Sequence, residues 1–347
     1  MFLINRKSLT AVGATVVAVF AATALFASPA QAATAGLARV SGTTIKFNAL
    51  MSKANSLVIT VSGRTVTLDD KVALKPGKGC KRVDSTKVKC TTSKKPTKIS
   101  VALGDKNDRV TNKTSIYMLA DGGAGNDTLI GGNGPDQLQG YTGIDKLYGG
   151  NGNDKLFGES GNDILNAGAG NDQVWGGTGN DKIAGYAGRD QIAGDAGNDV
   201  ISGGVGNDLI YGYAGNDRIN GDAGDDEIYG DQYYSTAAGA DTLSGGDGKD
   251  TLTGGNGVDS IIGGNGDDFL YGAYFDLNTG HPIGAAAADR LNGGANNDYC
   301  LSLGGAVYGA CEVTGNPWAS ASASAVTTNT PEISADVLKR LVSSTRW

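Results

Sequence analysis

Gly122-Gly123-Ala124-Gly125-Asn126-Asp127-Thr128-Leu129-Ile130 is the first of eighteen copies of one nine-residue unit, Gly-Gly-x-Gly-x-Asp-x-U-x with U aliphatic. Twelve copies abut without a gap as far as Tyr229. The thirteenth begins at Gly230 and carries an insertion at residues 232–238. Three clean copies follow, the seventeenth carries a longer insertion at 274–286, and the last copy ends at Leu301. Glycine stands first in 17 copies (Ala167 is the exception) and fourth in the first sixteen, and aspartate stands sixth in all eighteen. A fixed period of this kind sets the fold before any local propensity does.

The eighth position is Leu129, Leu138, Leu147, Leu156 and Leu165, then Val174, then isoleucine from Ile183 to Ile228. Positions seven and nine are mostly polar or aromatic, as at Thr128, Lys155, Gln173, Trp175, Tyr211 and Tyr229. This alternation predicts a three-residue strand at positions seven to nine with its middle side chain inward. The glycines of the preceding six residues mark a turn that needs positive φ or close approach of another backbone. One unit cannot bury its aliphatic side chain alone. Two units make an 18-residue coil with strands on opposite faces. Stacked coils then make two parallel sheets around an aliphatic spine, an all-β parallel β-roll. Turns stack along both edges about 4.8 Å apart, as strands do, so one aspartate carboxylate lies above another at every step. Carbonyls freed by the glycine turns face the same cleft. A cage of oxygens without His or Cys matches a hard cation that takes six to eight ligands, which is calcium; magnesium holds its waters and demands a tight octahedron.

The array resembles the haemolysin-type, or RTX, calcium-binding nonapeptide repeat over residues 122–301, about half the chain. The resemblance implies that the sixth-position carboxylates and loop carbonyls hold Ca2+ between stacked turns. Carried over copy by copy, the implied ligands are Asp127, Asp136, Asp145, Asp154, Asp163, Asp172, Asp181, Asp190, Asp199, Asp208, Asp217, Asp226, Asp241, Asp250, Asp259 and Asp268. Asp289 and Asp298 are left out of the set, because Ala287 and Asn296 replace the fourth-position glycine. Eighteen loops, two to an ion, give on the order of sixteen sites. The order of exported leader, small β and cysteine segment, then array also resembles secreted calcium-binding proteins of actinobacteria.

Charge is split along the chain. Residues 33–120 hold 17 Lys/Arg against 5 Asp/Glu, and residues 121–312 hold 7 against 29. The array's net −22 repels itself unless cations neutralise it. Sixteen divalent ions overshoot that charge, so either some sites stay empty or the further acids Glu159, Asp195, Asp222, Asp225, Asp231, Asp247 and Asp267 contribute. Ten of the basic residues fall between Lys71 and Lys98. They form either a solvated face that balances the array or a surface for an anionic cell-wall polymer or glycan. No aromatic interleaving supports nucleic-acid binding.

The remaining segments read as follows. Residues 1–32 have the layout of a secretory signal peptide: Arg6 and Lys7, an apolar stretch, and Ala30-Gln31-Ala32 as cleavage site. Residues 33–120 carry strand-like runs, with a hairpin at 57–61 and 64–68, and are expected to cap the first turn of the roll. The segment 103–110 is a degraded copy of the repeat, with Lys106 where the fourth-position glycine belongs. The roll spans 121–312, a Ser/Ala/Thr-rich linker 313–330, and a helical tail 331–347. The four cysteines allow three pairings; Cys80–Cys90 with Cys300–Cys311 is preferred, since the array separates the two pairs. His281 is the only histidine, H-E-x-x-H is absent, and no segment outside the array has the size of a hydrolase domain, so no catalysis is expected. Tyr141 and Tyr213 fall on one edge and Tyr186 on the other, so these three make no single platform.

Overall fold

The computed structural model describes residues 36–231, 239–275, 282–283, 289–301, 306–307 and 311–314. The leader, residues 315–330 of the linker, the helical tail, His281 and most of both insertions lie outside these residues; residues 313–314 belong to the strand Cys311–Thr314 and not to a linker. What is described is all β. From Lys98–Asp105 to Phe269–Tyr271, successive strands alternate between two 15-stranded sheets, so each pairs with the strand two places on in the chain. Within the array the pairings of the two sheets are parallel, and away from the insertions the register steps by 18 residues: Leu129 lies beside Leu147, Leu147 beside Leu165, and Leu138 beside Leu156. The chain is therefore a β-roll with two nonapeptides per coil.

The strands are longer than the repeat pattern predicts. Lys146–Asn151 and Gln173–Thr178 each run from position seven of one copy to position three of the next. The reason is visible in the burial alternation of Lys146–Asn151, in which the eighth-position Leu147 and the first-position Gly149 both face inward. Glycine there leaves the alternation intact but contributes no side chain, so a hydrophobic pattern stops at position nine while the extended backbone does not.

The core is the expected spine. Leu129, Leu147, Leu165, Ile201, Ile219 and their counterparts on the opposite sheet are 0–3% exposed. Burying each stabilises the roll by roughly 1.5–3 kcal/mol. Outside, position nine of one sheet carries an aromatic ladder that the copy-by-copy reading did not find. Phe157 stacks on Trp175 with centroids 4.6 Å apart, and Tyr211 on Tyr229 at 5.0 Å. Each pair is 18 residues apart in sequence, so the signal was present at the coil period. Tyr141 and Tyr213 do lie on one sheet and Tyr186 on the other.

The N-terminal segment grows into the roll without a break. Thr44–Asn48 adds in parallel to Lys98–Asp105, and Ser56–Ser62 adds in parallel to Arg109–Asn112. The hairpin is present: Ser56–Ser62 pairs antiparallel with Thr65–Asp69. Ala38, Ile45, Phe47, Leu57, Ile59 and Leu68 continue the aliphatic spine into the cap as one core. Both preferred disulfides form, Cys80–Cys90 across antiparallel neighbours and Cys300–Cys311 at the far end. Of the second insertion, Tyr274–Phe275 and Pro282–Ile283 pair as a small antiparallel hairpin.

Candidate metal centre

Stacking by 18 residues gathers the sixth-position aspartates into two columns, one along each edge. The first column runs Asp127, Asp145, Asp163, Asp181, Asp199, Asp217, Asp241, Asp259; the second runs Asp136, Asp154, Asp172, Asp190, Asp208, Asp226, Asp250, Asp268. All sixteen are 0–3% exposed. Each column is a hydrogen-bonded ladder. The backbone N–H of each aspartate donates to Oδ1 of the aspartate one coil on, at 2.6–2.9 Å through these sixteen. The insertion at 232–238 does not break the ladder, since Asp217 N–H donates to Asp241 at 2.8 Å.

Asp289 and Asp298, set aside on sequence, stand in the same columns. Asp259 N–H donates to Asp289 at 3.0 Å and Asp268 N–H to Asp298 at 3.1 Å, and both side chains are 2% exposed. The fourth-position glycine is therefore not what places the carboxylate. Asn296 adopts φ 88° in its stead. Sequence reasoning also passed over Asp108, in the degraded copy. It is buried, and its N–H donates to Asp127 Oδ1 at 2.7 Å, so it extends the first column one coil downward.

The ladder uses only one oxygen of each carboxylate. Oδ2 of seventeen sixth-position aspartates is buried with no hydrogen-bond partner. A buried anionic oxygen without a partner is costly, and its column neighbours carry the same charge. Burial first, then the neighbouring carboxylates, push these groups up against the lowering effect of the amide bond: Asp127, Asp181 and Asp226 to about 7, Asp136 and Asp241 to about 8. Asp163 and Asp190 move in the same direction, again because they are desolvated.

The free oxygens face backbone carbonyls. A Cβ on Gly122 would lie 2.5 Å from Asp127 Oδ2 and 2.9 Å from the Gly140 carbonyl oxygen. The same pair of neighbours, the copy's own Oδ2 and the first-position carbonyl one coil on, recurs at Gly131, Gly185 and Gly221. First-position glycine thus keeps a cradle open between a carboxylate and a carbonyl. Among the described residues, no three His, Cys, Asp or Glu groups converge on one point; each turn pair offers stacked carboxylates and carbonyls only. That all-oxygen donor set fits calcium and not zinc or copper.

Five of the seven further acids are engaged elsewhere. Asp225 Oδ1 accepts the Lys249 N–H at 2.9 Å, Asp267 accepts the Asn297 N–H at 3.2 Å, and Asp247 accepts from Asn265 Nδ2 at 2.7 Å. Asp225 and Asp267 do what Asn162 and Asn180 do at the same fifth position, tying one turn to the next. Glu159 accepts from Gln139 Nε2 at 2.7 Å, and Asp222 from Ser202 and Asn220. Six non-glycine residues at position two, Tyr141, Glu159, Tyr186, Asp195, Tyr213 and Asp222, are held at φ of 72–77°.

A parallel roll with a carboxylate ladder down each edge defines a class of repeat protein whose turns are built for cations. The RTX calcium-binding nonapeptide repeat profile matches residues 121–148, 139–174, 166–201, 175–210, 202–232, 235–272 and 283–306, and the chain belongs to that family. Its β-roll is accordingly a calcium-binding one. No curated protein matches the chain.

Proposed function

We propose that the chain is an exported structural protein whose roll folds around a stack of calcium ions and has no catalytic role. The observation that carries this reading is the row of buried, partnerless Oδ2 atoms in both aspartate columns. Asp127, Asp136, Asp145, Asp154, Asp163, Asp172, Asp181 and Asp190 hold the first half of the stack. Asp199, Asp208, Asp217, Asp226, Asp241, Asp250, Asp259 and Asp268 hold the second, with loop carbonyls completing each cage. Bound calcium supplies the positive charge and the demand for six to eight oxygens. The chain's part is to fix its oxygens in advance: the amide ladder orients each carboxylate, and first-position glycine keeps the cradle clear. On the order of ten or more ions are expected at two turns per ion. Export follows from the leader at residues 1–32, with cleavage after Ala32, and suits the two disulfides. The domains are the leader, a cap at 33–120, the roll at 121–312, a linker at 313–330 and a tail at 331–347.

The test is a calcium titration of the mature chain at about pH 8, where the column carboxylates are ionised, followed by far-UV circular dichroism and calorimetry, with magnesium as control. Cooperative gain of β structure with calcium and none with magnesium is the expected result. A chain that takes up no calcium overturns the reading; one that binds calcium while already folded in EDTA overturns folding on binding alone.

One observation favours an added role for the cap. Lys71, Lys75, Lys78, Lys81, Arg82, Lys89, Lys94 and Lys95 are all exposed, and between described residues a single ion pair forms, Lys87–Asp69 at 2.8 Å. On this second reading, calcium stiffens a scaffold whose basic cap holds an anionic cell-wall polymer or glycan. Retention of the mature chain on purified cell walls, lost when these eight residues are neutralised, is the expected result; retention without them refutes it.

A further inference from the structure

The first aspartate column does not stop at Asp108. Asn55 N–H donates to Asp108 Oδ1, and Asn55 Nδ2 donates to the same oxygen at 3.2 Å. Arg109 N–H donates to the Asn55 carbonyl at 3.1 Å, as Thr128 N–H donates to the Asp108 carbonyl at 2.9 Å. Asn55 therefore occupies the sixth position of a coil that the repeat pattern does not reveal, with Leu57 in the inward eighth place beside Val110. Among the described residues no further coil lies below it. The next amide in line, Ser56 N–H, donates instead to Asp70 Oδ1 at 2.6 Å. Asp70 thus replaces the carbonyl that another coil would have supplied.

Three side chains close this end of the column, and each leaves one oxygen over. Asp108 Oδ2, Asp70 Oδ2 and Asn55 Oδ1 are all buried without a hydrogen-bond partner. The residues are 3%, 4% and 1% exposed. Asp70 and Asp108 are close enough to repel each other. The Lys71 and Val72 amides also act on Asp70, yet two buried carboxylates and a buried amide each keep one unpartnered oxygen around one pair of adjacent amides, where hydrogen-bonded packing alone would leave at most an isolated exception.

We infer that Asp70, Asp108 and Asn55 form an additional site for a hard divalent cation of the calcium class at the junction of cap and roll, outside the nonapeptide copies. Its two formal negative charges match one divalent ion. Its side-chain oxygens are half or fewer of the six to eight that calcium takes, with carbonyls and water as the remainder. The site rests on the reading of the columns above as calcium sites. Its consequence is specific: calcium fastens the cap's lowest coil to the roll, so the cap orders with the metal and not independently of it.

Hydrogen exchange with mass spectrometry on the full mature chain, with calcium chloride or EDTA, tests this. In the native chain, calcium slows exchange in peptides covering 49–57 by tenfold or more, together with the array peptides. In Asp70→Asn, whose amide keeps an oxygen for Ser56 N–H, the array peptides keep their calcium response and that of 49–57 falls at least tenfold. Full retention of the response at 49–57 in Asp70→Asn overturns the site. So does a native chain whose array responds while 49–57 does not. Loss of response everywhere in the native chain overturns the calcium reading of the columns and this site with it. Asn55→Asp provides the opposite change: a third carboxylate lowers the calcium concentration for half-protection of 49–57 several-fold, and an unchanged or higher midpoint refutes the assignment.

Discussion

Removing calcium and then changing pH gives a prediction whose sign the carboxylate columns fix. In the metal-free fold, burial lifts Asp127, Asp154, Asp181, Asp217, Asp226 and Asp250 to about 7 from a starting value of 3.8. A folded-state pKa above the unfolded one means that the folded chain holds more protons. Metal-free stability is then fully present below about pH 4 and is lost as pH rises through about 7. Three units correspond to about 4 kcal/mol for each carboxylate, and within the window each contributes a slope of about −1.4 kcal/mol per pH unit. Two or three ionised aspartates offset the 5–15 kcal/mol or so by which domains are usually stable. In EDTA the roll should hold its β structure near pH 5 and lose it by about pH 8. With saturating calcium the sign reverses, because protons and metal compete for the same oxygens. Thermal unfolding followed by circular dichroism across this range measures both slopes. A melting temperature in EDTA that is flat or rises with pH refutes the argument that the columns are buried acids awaiting a cation.

Three further outcomes follow from individual residues. Asp181→Ala removes a free Oδ2 and also the acceptor of Asp163 N–H; the stranded amide costs about 1–3 kcal/mol, and calcium uptake measured by calorimetry should fall by one or two ions. Tyr186 is 55% exposed and held at φ 76°, so Tyr186→Gly should raise stability by about 1 kcal/mol, readable as a higher melting temperature in calcium. Leu147→Ala opens the spine midway along one sheet and should cost about 2–5 kcal/mol, read by chemical denaturation with calcium held constant.

The fold was legible because one residue class carried it at a strict period. Leu129, Leu147 and Leu165 at the coil step dictate parallel register and two sheets, and no local propensity competes. The carboxylate columns were legible for the same reason. Strand length was not, because the strand's second inward residue is glycine, which leaves no hydrophobic mark. Asp289 and Asp298 were set aside on the assumption that fourth-position glycine places the carboxylate; the amide ladder places it instead, and Asn296 tolerates the turn. Asp108, Asn55 and Asp70 were missed because their neighbours have lost the glycines. Spacings of 19 and 53 residues from Asp127 to Asp108 and from Asp108 to Asn55 also hide a shared column. The aromatic ladder was overlooked by comparing position two alone; Phe157, Trp175, Tyr211 and Tyr229 sit at position nine.

Everything above rests on the two aspartate columns holding the calcium ions. Long-wavelength X-ray diffraction from crystals grown in calcium tests it most directly, since anomalous scattering locates each ion. Two rows of peaks are expected, one down each edge, each peak between successive sixth-position carboxylates and spaced by the coil step of about 4.8 Å. Peaks confined to surface acids such as Asp225 and Asp267, with none between the columns' Oδ2 atoms, would contradict it.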